Sequence, residues 1–354
     1  MVPRLIFRTH YQVEEPAYIE LLVKRCSSAV QSCYPEVVAE RLVKEVKNRI
    51  DKDFNKAAAL YAVDLAAALG VITDNNTWTD KGHLVDLLAD IGEPNELLLK
   101  PREKLLHFRL FLEADGAVLL ELARYFIEHG SLSHAEAIAS DFVEQLFSRI
   151  YNEYLRLTTS TPERMALRED IQKLRQEGYR PKTRHHKLRI HIQTMFRLGL
   201  IDRQDNADIR YIAAEQHIPK LSAFVREITN VEVLEKRIAK NEHLSVASRV
   251  FGMGARNFET IPQELLSSLL IDAYERIASH GTPICPISTI VEAMQATLIS
   301  EHDTDASFDD LLGFITHLQR TNAKQFRFHV DRRGRPSFIK IADQWLQQFK
   351  DVRA

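Results

Sequence analysis

The chain has 354 residues, 45% hydrophobic and 27% charged, with a formal net charge of −2. That is the composition of an ordinary globular protein, and it excludes a largely disordered or membrane-embedded chain. Three cysteines (Cys26, Cys33, Cys285) are too few and too scattered for a disulfide framework, so a cytoplasmic location is expected. No run reaches the roughly 18 apolar residues of a membrane span, and residues 1–15 lack the apolar core of a signal peptide. With only 12 Gly and 12 Pro and strand-like alternation in short stretches, the expected fold class is mainly α with short β-hairpins. The length predicts two to four modules.

In chain order, alternation over residues 5–11 predicts a short strand, and apolar spacing over 15–33 and 34–50 predicts two amphipathic helices. Asp53-Phe54-Asn55-Lys56 caps a third helix through AAALYAVDLAAALGVI, stopped at Gly70. Val71-Ile72, the turn DNNTWTDKG and a helix over 83–88 follow. Ile91-Gly92-Glu93-Pro94-Asn95 marks a boundary. From Pro101, two runs at helical spacing (Leu105, Phe108, Leu112, then Val118, Leu122, Phe126) flank Asp115-Gly116, which predicts a helical hairpin. Ser133 caps a helix running to Leu157, in which Phe142, Leu146, Ile150 and Tyr154 form a stripe read as core. Thr161-Pro162-Glu163 opens another helix, with proline where its missing N–H is harmless.

The most informative stretch is 183–214. A helix from Arg184 to Leu198 places Leu188, Ile192, Met195 and Phe196 on one face. Its opposite face carries Thr183, His186, Lys187, Ile190, Gln193, Thr194 and Arg197, mostly residues that donate to phosphates or base edges. Gly199 stops the helix, and two short strands around a polar turn follow. Between Gly178 and Arg197 there are six Lys/Arg (Arg180, Lys182, Arg184, Lys187, Arg189, Arg197) and no Asp or Glu, a local +6 on a chain of net −2. Such a patch holds polyanions, or docks an acidic partner protein. The order of basic helix, glycine stop and hairpin resembles the recognition helix and wing of the winged-helix superfamily. Residues 15–88, with the order helix, helix, helix, L-G-V-I, turn and W-T-D-K-G, resemble a second such unit, although their third helix is alanine-rich and nearly uncharged, which points to packing or dimerisation.

Helices are predicted over 219–228, 231–240 and 262–280, and FGMGARN between the last two reads as a turn because the glycine fingerprint of a phosphate loop is missing. A helix over 288–299 follows. Ser307 and Asp310 form a capping pair for a helix through Arg320. Phe326, Phe328 and Val330 alternate with Arg327 and His329, and Phe338, Ile339 and Ile341 pair back across DRRGRP, a hairpin with glycine in its turn. From Arg320 to Lys340, seven basic residues face Asp331 alone, again +6. This resembles a third wing, suited to phosphates or the minor groove.

No catalytic constellation emerges. Cys and His lack metal-ligand spacing, the carboxylate pairs sit on helix surfaces or caps, and no nucleophile elbow is present. The expectation is a non-enzymatic protein that needs no cofactor. Its modules are 1–92, 93–215 with the basic unit, a helical linker region 216–282, and 283–354 with the arginine-rich wing. Its expected partner is double-stranded DNA, contacted by Thr183, Arg184, His186, Lys187, Arg189, Gln193, Thr194 and Arg197 and by Arg332, Arg333 and Arg335 on the last wing. Such a protein is a regulator or a DNA-sensing subunit, for instance of a bacterial defence complex. The rival expectation is an adaptor whose winged units form a homodimer or hold partner subunits of a chromosome-organising or defence assembly.

Overall fold

The computed structural model describes residues 15–26, 35–49, 53–73, 77–89, 99–137, 139–178, 188–205, 208–279, 284–332 and 334–347. The strand expected over 5–11, the boundary at 91–95, and Thr183, Arg184, His186, Lys187 and Arg333 lie outside them. The fold is mainly helical, as the composition implies.

Among the described residues, three helices come first: α1 (Tyr18–Arg25), α2 (Pro35–Arg49) and α3 (Lys56–Ala68). The Asn55 side chain accepts the Ala58 N–H at 3.0 Å, so the predicted cap is in place. Ala59, Ala62 and Ala66 are fully buried where α3 meets α1 and α2, so its small side chains serve close packing inside the chain. Of the expected hairpin, the described residues show an antiparallel bridge, Ile72 to Trp78. Thr79 then caps α4 (Asp80–Leu88), accepting from the Lys81 and Gly82 amides at 3.2 Å. Gly82 has no room for a side chain, since a Cβ there would lie 2.5 Å from the Val71 carbonyl oxygen.

The predicted break is present: α5 (Pro101–His129) consists of two helical segments that meet at a kink at Asp115 (φ −140°, ψ 36°). Apolar side chains on both sides of the kink are buried. Gly116 admits the close approach of a neighbouring helix, its missing Cβ leaving space filled by Leu234. The helix expected from Ser133 to Leu157 is likewise two: after β1 (Ser131–Ser133), Ser133 and Glu136 form a reciprocal cap on the one-turn α6 (His134–Ala137), and α7 (Ser140–Leu157) begins afresh. There follow α8 (Thr161–Gly178), α9 (Arg189–Arg197), β2 (Asp202–Asp205) and β3 (Ile209–Ile212).

The remainder comprises α10 (Ile218–Glu227), α11 (Val231–Ala239), α12 (His243–Phe251), β4 (Arg256–Asn257), α13 (Gln263–Ala278), β5 (Cys285–Pro286), α14 (Ile287–His302), β6 (Thr304–Asp305), α15 (Phe308–Thr321), β7 (Phe326–Val330) and β8 (Pro336–Ile341). FGMGARN is a turn leading into β4, and its Gly254 and Ala255 amides donate to Asp303 Oδ1 at 2.7 and 3.1 Å. Those amides are therefore spent within the fold, and β4 pairs in parallel with β6.

Two antiparallel sheets share one connectivity. In the first, β1 precedes α6 to α9, the hairpin β2–β3 follows, and the order is β1-β3-β2; in the second, β5 precedes α14 and α15, the hairpin β7–β8 follows, and the order is β5-β8-β7. Around them lies a single hydrophobic core running from Ile19 to Leu346. The central α5 packs against α4, α7, α9, α10, α11, α12 and α14. Among the described residues no helix is long and apolar enough to cross a membrane.

Candidate nucleic-acid interface

The helix expected to enter a groove is α9. Its stop is as the sequence implies: Gly199 takes a positive φ of 69°, and the Leu200 amide reaches back to the Met195 carbonyl at 2.9 Å. Its polar face is not. Gln193 is 5% and Thr194 0% exposed, and Ile190, on the same predicted face, is fully buried. The outward orientation expected for Gln193 and Thr194 is thus corrected. Every residue from Ile190 to Met195 is buried, and α9 rests on α5. His191 faces the α5 kink, where its Nε2 meets Asp115 Oδ2 at 2.9 Å with both groups buried.

The two arginines of α9 are half-buried. Arg197 is ion-paired with the buried Glu15 and lies 5.4 Å from the Phe196 ring. Burial lowers the pKa of Arg189 from its ordinary value, with Tyr211 opposing and Arg203 adding to the shift. Tyr211 and Arg203 of the hairpin thus lie within electrostatic range of Arg189. The hairpin of this unit mixes charges: Arg203 and Arg210 alternate with Asp202, Asp205 and Asp208. In the sequence, Ile190 on the supposed contact face was the signal that α9 is covered.

The C-terminal hairpin differs in both respects. The predicted capping pair is present at α15, where Ser307 Oγ accepts the Asp310 amide and the Asp310 carboxylate accepts the Ser307 amide, both at 3.1 Å. The acidic start of α15 is thereby engaged in its cap, while exposed His317, Arg320 and Lys324 lie toward its other end. Strand pairing sets Phe326 opposite Ile341, Arg327 opposite Lys340, Phe328 opposite Ile339 and His329 opposite Phe338. Phe326, Ile339 and Ile341 are buried, Phe326 stacking edge-on to Trp345 at 4.6 Å. Tyr274 anchors the base from α13, its hydroxyl accepting the Ile341 amide at 3.1 Å.

At the tip, the chain turns on itself. The Asp331 amide donates to the Arg335 carbonyl at 2.8 Å, the Arg335 amide donates to the Asp331 carboxylate at 2.9 Å, and Gly334 supplies a positive φ of 75°. Arg332 and Arg335 are both exposed. Arg327 and Lys340 are exposed farther down the same hairpin. Asp331, the one acid of the stretch, is committed to the turn. The sequence-predicted residues therefore divide: Arg332 and Arg335 stand together in solvent, while Gln193 and Thr194 are interior and Arg189 and Arg197 are part of the fold. No protein-family model, curated protein or solved structure matches the chain.

Sequence reasoning missed a second cluster, interior and charged. Arg109 of α5 makes two hydrogen bonds to Glu292 of α14, at 2.7 and 2.9 Å, and one to Glu113 at 2.9 Å. Glu113 also meets Lys81 of α4 at 2.8 Å. His243, at the start of α12, is buried beside them, and burial, reinforced by Arg109, pushes its pKa down to about 4. Burial alone would raise Glu113, but Arg109 and Lys81 outweigh it and bring its carboxyl to about 2. Arg109, Glu292, Glu113 and Lys81 satisfy one another, and with His243 the cluster joins four helices from distant parts of the sequence. The described cysteines are no nucleophiles, because burial raises both Cys26 and Cys285 to about 12. Among the described residues no group of His, Cys, Asp or Glu is placed to hold a metal ion.

Proposed function

We propose that the protein binds double-stranded DNA through its C-terminal unit, with the hairpin β7–β8 as a wing laid along the phosphate backbone. The observation that carries this reading is the tip, where exposed Arg332 and Arg335 flank a turn whose acid is internally bonded. Arginine's fork donates to two phosphate oxygens at once, and a tip fixed by its own backbone bonds presents that fork with little ordering cost. Arg327 and Lys340 extend the positive surface down the strands. The repeated connectivity of strand, helices and hairpin supports a winged-helix reading of both sheets. In this reading the α9 unit and the first unit are scaffold: α9 is covered, α3 buries its alanines within the chain, and Lys81 is committed to Glu113.

The test is duplex binding by the full chain over a salt series. Each lost phosphate contact removes about 0.9 from the slope of log affinity against log salt. Arg332→Ala with Arg335→Ala is therefore expected to weaken binding and to lower the slope by about 2. A slope and affinity unchanged by the double substitution would falsify the assignment.

A further inference from the structure

We propose that the outer face of the β7–β8 hairpin is a base-stacking platform for single-stranded nucleic acid, with Phe338 as the ring on which a base lies. The inference rests on the reading of this hairpin as a nucleic-acid surface, and it assigns a second ligand form to it.

Directly paired residues on antiparallel strands project to one face. Arg327 with Lys340, and His329 with Phe338, therefore share the face opposite buried Phe326, Ile339 and Ile341. On that solvent face an aromatic ring is out of place on hydrophobic grounds alone, yet Phe338 is 41% exposed. Ile284, next to the strand β5 that pairs with β8, is 39% exposed. Pro286 of β5, paired with Phe338, borders the ring and is buried, and the polar members of the face are the exposed Arg327, His329 and Lys340, with no carboxylate among them.

An acidic protein segment would find the cations but would leave the ring without a matched partner. A single strand offers both elements: unpaired bases have free π-faces, and its phosphates lie on either side of them. Residues two apart on a strand are about 7 Å apart. Lys340 and Phe338 are so spaced on β8, as are Arg327 and His329 on β7, which sets a cation one step from the stacking ring. A duplex keeps its base faces stacked inside, so Phe338 would be silent toward it while the tip arginines remain engaged.

The experiment measures anisotropy of a labelled oligothymidylate and of a blunt duplex with the full-length protein, as parent, Phe338→Ala, Phe338→Trp and Arg332→Ala/Arg335→Ala. Phe338→Ala is expected to weaken the single strand by roughly 5- to 100-fold and the duplex by less than about twofold. Phe338→Trp should restore single-strand affinity, with tryptophan emission quenched on binding beyond that of the parent. An oligoglutamate peptide serves as the acidic-protein probe. Single-strand affinity unchanged in Phe338→Ala, equal losses for both forms, or Phe338-dependent binding of the peptide in place of the oligonucleotide overturns the platform. Failure of the tip variant to affect the duplex overturns the duplex reading instead, so the two outcomes are separable.

Discussion

His243 shows what a single buried side chain contributes. Its Nε2 has no hydrogen-bond partner, and its neighbours Arg109, Glu113, Glu292 and Lys81 are already engaged with one another. With a folded pKa of about 4 against an ordinary 6.5, the ring is neutral in the fold, whereas the unfolded chain takes up a proton below pH 6.5. Its stabilisation is complete above that value and is lost as pH falls toward 4. At pH 5 the loss is about 2 kcal/mol by linkage. Glu113, held at about 2 against an ordinary 4.5, begins to lose its contribution only below about pH 4.5, so the interval from pH 7.5 to 5 reads His243 apart from it. Urea unfolding of the parent and of His243→Gln at pH 7.5 and 5 measures the difference. The parent should lose about 2 kcal/mol more than the variant across this interval. Equal losses would remove His243 as the source.

At the scale of elements, the contrast is between α9 and the C-terminal hairpin. The stretches that contain them, residues 178–197 and 320–340, each carry +6 in the sequence; among the described residues Arg189 and Arg197 are half-buried whereas Arg332 and Arg335 are exposed. Gln193 is accordingly expected to matter for stability and not for DNA: Gln193→Ala should lower the melting temperature while leaving duplex affinity within about twofold, since 1.4 kcal/mol is needed for each factor of ten. A loss of duplex affinity in a variant of unchanged stability would return α9 to the interface. Helices, caps and the last hairpin were legible because their causes are local. Asn55, Ser307 with Asp310, Gly199 and the alternation of residues 326–330 act within a few positions of themselves. What covers α9 was not legible, because Asp115 and Glu15 are far from it in sequence. What packs at the α5 kink was hidden for the same reason: Leu234, which fills the space at Gly116, lies on another helix.

At the scale of the whole molecule, long-range polar bonds bind the sequence-separated units into one body. Arg109 reaches Glu292 across 183 positions, Arg276 of α13 donates to the Leu87 and Asp86 carbonyls at the end of α4, and Arg102 joins Glu301 at 2.9 Å. Breaking Arg109 from Glu292 would leave a buried charge unmatched, a loss of about 3–5 kcal/mol. Units so joined should not unfold separately, although chains of this length commonly do. The two tryptophans are placed to decide it, since Trp78 lies in the first unit and Trp345 stacks on the last hairpin. Trp78→Phe and Trp345→Phe each leave one reporter. Urea titrations followed by each remaining fluorescence and by far-UV circular dichroism are expected to give coincident, single transitions. A Trp345 transition clearly earlier than that of Trp78 would mean that the C-terminal unit opens independently, and the buried Arg109–Glu292 pair would then be a weak joint and not the clasp its geometry indicates.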